Sequence, residues 1–149
     1  MTDSAAPSIG YWHLWTDGDG VSRQTRCALT AFELSSIQPP SAPQWIGAPT
    51  SGQMTSFVTV LPAGWVGDWH ENPRPQWIVP LSGRWFVESM DGRHVEMGPG
   101  DLSFGEDQHT RAVDGRQGHR SGVVGAEAAV LMIVQLTEAR EIILPCRFR

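Results

Sequence analysis

Hydrophobic and polar residues alternate along most of this chain in short stretches, each cut off by glycine, proline or an Asp-Gly pair. A period of two is the signature of a half-buried strand. It predicts strands over Tyr11–Thr16, over Met54–Leu61 (MTSFVTVL), and over Gln76–Leu81 and Arg84–Met90, with Ser82-Gly83 read as a two-residue hairpin turn. Asp91-Gly92 predicts a second hairpin into Arg93–Met97, with Val95 and Met97 inward and His94 and Glu96 outward. Leu102–Phe104 reads as a short strand, and Arg23–Ile37 as one strand or a strand pair. Gly122–Leu136 ends in the apolar run AAVLMIVQL, a buried strand if the rest is β. Glu141–Phe148 reads as a last strand or a packed tail. The Pro39-Pro40-Ser41-Ala42-Pro43 run cannot continue a ladder, because proline lacks the donor N–H. Gly105–Gly118 is polar and long, the kind of loop that often carries function. Short strands at this spacing predict an all-β sandwich or barrel.

At 149 residues the chain is large enough for one domain with its own core. No apolar run approaches the roughly 20 residues a bilayer requires, and the first residues lack a basic-then-apolar leader, so a cytoplasmic protein is expected. Cys27 and Cys146 have no CxxC spacing and are expected to be free thiols. The formal net charge is -5 and every basic residue is arginine. An acidic chain with no basic run disfavours nucleic acid and anionic membranes as partners. The lack of lysine removes Schiff-base chemistry. Seven Trp against one Tyr suits either a core or a cavity for a flat, apolar ligand, for which Trp85 is the candidate wall.

The stretch Gly64–Gly83, GWVGDWHENPRPQWIVPLSG, sets His70, Asn72 and Gln76 between two glycines. This spacing resembles the first motif of the cupin superfamily, G-x5-H-x-H-x3/4-E-x6-G. Asn72 stands at its second His, Gln76 at its Glu and Gly83 at its closing Gly. DGRHVEMGPGD resembles the hairpin that leads into the second motif, whose His would fall at Arg111. His119, which leads into the last apolar strand, is the favoured replacement, with His109 the alternative.

The resemblance covers about residues 55–136. It implies a double-stranded β-helix, a jelly-roll barrel, with residues 1–54 as an N-terminal strand extension of a single domain spanning 1–149, and pairing into a homodimer. It further implies a mononuclear site for Fe, Mn, Ni or Zn on His70, Gln76 and His119, with Asn72 as an added oxygen donor, serving a lyase, isomerase or dioxygenase. Because every ligand is neutral, a metal-free alternative stands beside it. There His70 and His119 act as acid and base in a cyclase or isomerase, as in metal-free sugar epimerases, or the barrel only binds a small molecule. Arg74, held between two prolines, and Asp107, Arg111 and His109 on the long loop are candidates for gripping substrate at the mouth, while alternation turns Glu71 away from His70 and toward the surface. The substrate is expected to be small, and apolar or aromatic.

Overall fold

The strand-forming stretches organise into eleven strands in the computed structural model, which describes residues 5–137 and 144–149. In chain order they are β1 Ile9–Thr16, β2 Ser22–Leu29, β3 Phe32–Ser35, β4 Gln44–Gly47, β5 Met54–Leu61 and β6 Gln76–Ser82. There follow β7 Arg84–Ser89, β8 His94–Met97, β9 Ser103–Glu106, β10 His119–Val124 and β11 Ala129–Leu136. No helix occurs among the described residues. Six strands form one sheet in the order β2-β1-β9-β6-β11-β5, and three form a second in the order β10-β7-β8. β3 and β4 make a separate hairpin, with a cis bond between Pro39 and Pro40 in the connection.

The two larger sheets pack face to face. Leu14, Ile78, Ala129, Leu131 and Ile133 from the first meet Trp85, Val87, Val95 and Met97 from the second in one buried cluster. Alternation places these residues on inner faces, and full burial of side chains of this size stabilises by about 2 kcal/mol each. The outer face of the six-stranded sheet carries a second cluster, Tyr11, Cys27, Phe104 and Leu136, on which Cys146 and Phe148 of the C-terminal tail pack. His13 is completely buried between the aromatic rings of Tyr11 and Phe104, and accepts a hydrogen bond from the Cys146 N–H at Nδ1 (2.9 Å).

Three expectations change. Ser82-Gly83 is a corner rather than a hairpin turn: β6 pairs with β9 and β11, whereas β7 pairs with β8 and β10. Gly83 has φ +71°, and an added Cβ would collide with the Ala128 carbonyl, so the corner admits only glycine. The last apolar stretch is two strands, β10 and β11, in different sheets, with Gly125 in the turn between them. Cys27 and Cys146 are not free thiols; they form a disulfide with Cα atoms 5.3 Å apart. Of the expected tail strand, residues 141–143 lie outside the described residues, and Pro145 to Phe148 pack on the chain's own sheet.

The sheets do not close into a barrel. Gly64 to Pro75, which would have to join them, makes only isolated bridges, Val66 with Gly122 and His70 with His119. No helix of the described residues is long and apolar enough to cross a membrane.

Candidate functional site

The irregular stretch before β6 lies against β10 through paired backbone bonds. The His70 N–H donates to the His119 carbonyl and the His119 N–H to the His70 carbonyl, both at 2.9 Å. This two-way bridge sets the two imidazoles side by side, their ring centres 4.7 Å apart. Gly118 permits the approach: at φ +61° it presents a bare Cα to the His70 backbone, where any Cβ would collide.

Beneath the rings runs a chain of buried polar groups. Asp107, fully buried, accepts from His119 Nδ1 at 2.6 Å through Oδ2. Through Oδ1 it accepts from both the Asn72 backbone N–H and the Asn72 side-chain amide, each at 2.8 Å. Gln76 Nε2 donates to Asn72 Oδ1 (2.7 Å), and Gln135 Nε2 donates to Gln76 Oε1 (3.0 Å). Gln108 closes the network by donating to the Asn72 carbonyl (2.8 Å). Asn72 also lies flat against Gly105, where a side chain would displace it.

This arrangement fixes protonation. Burial pushes the Asp107 carboxyl up, but the His119 charge and the hydrogen bonds from His119 and Asn72 together outweigh it, holding the group below its ordinary value. An ionised Asp107 can only accept, so His119 always keeps a proton on Nδ1, and in the neutral ring it is Nε2 that is left for chemistry. His70 is fixed the same way, because its Nδ1 faces the Asp68 carbonyl at 2.8 Å.

Both rings line a cavity of about 230 Å³ at the β6-β11-β5 end of the space between the sheets. Its polar end holds His70, Asn72, Gln76, His119 and Gln135; its walls include Phe57, Trp65, Ile78, Trp85 and Leu131. Of the residues the sequence nominates, His70, His119, Asn72, Gln76 and Trp85 therefore come together here. Arg74, His109 and Arg111 do not: all three are exposed and none lines the cavity. His109 sits at φ +64°, and the Arg111 N–H is bound to the Gly20 carbonyl (2.7 Å), which turns the loop away from the opening.

Two residues take positions other than those the sequence suggests. Asp107, a candidate for the mouth of the site, is instead the buried acceptor around which Asn72 and His119 are arranged. Glu71, expected at the surface, is half-buried and accepts from the Thr110 N–H (2.9 Å) and hydroxyl (2.6 Å). Thr110 in turn accepts from the Gly118 N–H (2.9 Å), so this link ties the long loop to both histidine segments. Thr110→Val should cost about 1–2 kcal/mol, read as a lower urea midpoint; an unchanged midpoint would show that the link holds nothing.

The donors do not suit the dication that the cupin resemblance implies. Both amide oxygens, Asn72 Oδ1 and Gln76 Oε1, already accept hydrogen bonds, and both Asp107 oxygens are committed to Asn72 and His119. Two imidazoles without a free carboxylate leave the charge of a divalent metal unbalanced. Among the described residues no group of three or more His, Cys, Asp or Glu side chains is arranged to hold a metal ion.

Compared with known proteins, the chain matches no family model and no curated protein. Fold and site define an all-β protein with an open cleft between its sheets, headed by a buried His119 beside an exposed His70.

Proposed function

We propose that this chain is a cupin-type jelly roll working as a metal-free small-molecule enzyme, an isomerase, cyclase or lyase that moves protons between carbon and imidazole. The observation that carries the reading is the Asp107–His119 pair at 2.6 Å, facing His70 over a largely apolar cavity. His119 takes a proton from substrate at Nε2, and Asp107 stabilises the imidazolium that results. His70, on the neighbouring strand segment, returns a proton to a second atom of the same molecule. Asn72, Gln76 and Gln135 keep the carboxylate and the polar end of the cavity in register.

The lining suggests the substrate class. No arginine lines the cavity and a buried carboxylate lies behind it, so a neutral molecule fits better than a phosphate or carboxylate. A volume of about 230 Å³ with two indoles in the wall suits a compact apolar or aromatic compound. The exposed outer apolar face formed by Val58, Val60, Leu81 and Met132 supports pairing of two copies.

The test is deuterium exchange. Neutral aromatic and carbonyl compounds that shift the Trp85 indole signal are incubated in D2O, and incorporation at carbon is followed. His119→Gln should keep binding and lower exchange on the order of a thousandfold. Ligands that bind without exchanging would instead support a small-molecule-binding protein with no chemistry. Exchange that rises on adding Fe, Mn, Ni or Zn would favour the metal-dependent alternative.

A further inference from the structure

The C-terminal tail carries a device that the catalytic reading does not use. Residues 144–149 lie on the outer face of the six-stranded sheet, directly behind the site. Several attachments hold them. These are the Cys27–Cys146 disulfide, the Cys146 N–H on His13 Nδ1 (2.9 Å), the Tyr11 hydroxyl donating to the Phe148 carbonyl (2.9 Å) and accepting from the Phe148 N–H (3.3 Å), and Arg147 beside Glu106.

The last of these is unusual. Glu106 is buried, with Arg147 Nε 3.0 Å from one carboxylate oxygen and His13 Nε2 3.4 Å from the other. Neither carboxylate oxygen makes an aligned hydrogen bond, and neither does Arg147 Nε or His13 Nε2. Position therefore holds the pair together, more than directional bonding, and the covalent bond at the preceding residue, Cys146, sets that position. Cys146 itself sits at φ +65°, a backbone conformation that L-residues disfavour. Glu106 ends β9, and the residue after it is Asp107. Alternation sends the Glu106 side chain outward to the tail and the Asp107 side chain inward to His119.

We propose that Cys27–Cys146 is a thiol-exchange site whose state, relayed through Arg147 and Glu106, sets the alignment of Asp107 on His119. The co-reactant is a dithiol. Its thiolate attacks the Cys146 sulfur, since Cys146 is half-buried and Cys27 only 5% exposed. The S–S bond breaks and Cys27 leaves as a thiolate that takes up a proton. The second thiol of the reagent then attacks the mixed disulfide and releases Cys146, also as a thiol. The protein gains two electrons and two protons, and the dithiol becomes a disulfide. With the tail released, Glu106 is left buried without its cation, and the end of β9 must shift to hydrate it.

The proposal rests on the Asp107–His119 reading for its consequence, but its test needs no substrate. The oxidised full chain and the chain treated with dithiothreitol are compared by iodoacetamide labelling, amide hydrogen exchange and the ring signals of His119. Reduction should expose two alkylatable thiols, speed exchange at Phe104 to Asp107 about tenfold or more, and move the His119 signals. The Cys27→Ala, Cys146→Ala double variant should show the reduced pattern without reductant. Arg147→Gln retains the disulfide and should shift His119 in the same direction, which keeps the idea testable if the reduced chain unfolds. A folded reduced chain with unchanged exchange and unchanged His119 signals would overturn the proposal, as would an Arg147→Gln variant identical to the parent. A loss of deuterium exchange chemistry, by contrast, bears only on the proposed function.

Discussion

Asp107→Asn should lower turnover on the order of a thousandfold while leaving the cavity in place. The carboxylate accepts three hydrogen bonds, two from Asn72 and one from His119. Asparagine offers one oxygen and one amide, so it cannot serve both neighbours. If its oxygen faces Asn72, its amide faces His119 Nδ1, which must then give up its proton and carry it on Nε2. That is the wrong tautomer for a base. If it turns the other way, two buried donors meet at Asn72. Either outcome leaves buried groups mismatched and should cost about 3 kcal/mol.

The same residue sets an acid limit. The native Asp107 carboxyl lies below its ordinary value of 3.8, so protons bind the unfolded chain more readily than the folded one. Its contribution to stability is complete above that value and is lost as pH falls through the lower native pKa. Urea unfolding followed from pH 6 downward should show the parent losing this increment in acid and Asp107→Asn lacking it throughout. A variant whose pH profile parallels the parent's would remove Asp107 from this role.

Gly118→Ala should be, with Gly83→Ala, among the most damaging single-methyl changes at the described glycines. The residue stands at φ +61°, which costs an L-residue about 1 kcal/mol. Its new Cβ would also overlap the His70 carbonyl and the Glu71 nitrogen, and backbone cannot swing aside as a side chain can. The two His70–His119 backbone bonds must lengthen, each a loss of about 1 kcal/mol, so a total near 3 kcal/mol is expected. Gly115→Ala is the control. Gly115 has φ +77° with nothing within 4 Å of an added Cβ, so it isolates the conformational cost. Equal losses of stability in the two variants would show that the close approach at Gly118 is not what matters.

What could be read in advance follows from how local each signal is. Met54–Leu61 and the apolar run ending at Leu136 announce strands because their own side chains carry the period. Gly83 announces a bend, but hairpin or corner depends on whether β6 and β7 find each other or other partners, and those partners lie far along the chain. β4 hides beside a proline run, and only its pairing with β3 reveals it. The candidate site divides the same way. His70, Asn72 and Gln76 are legible because a fixed spacing on one stretch brings them together. The role of Asp107 is not: its loop suggests a place at the mouth, whereas its bonds go to Asn72 and His119 across the fold. The chemistry assigned to the amides also moved: the cupin resemblance offered Asn72 and Gln76 as metal donors, whereas they hydrogen-bond each other beside the carboxylate. Cys27 and Cys146 carry no spacing signal because a long stretch of chain separates them.

The parallel pairing of β1 with β9, Trp12 beside Ser103 through Trp15 beside Glu106, has a consequence in time. On the ribosome β1 emerges early, pairs locally only with β2, and must wait for most of the chain before its other edge is covered. The entropy of closing so large a loop precedes any contact that rewards it, so folding should be slow for a domain of this size. Until β9 arrives, Tyr11, Trp12 and Leu14 stand on a strand with one open edge, the period in which the nascent chain is most exposed to wrong pairing.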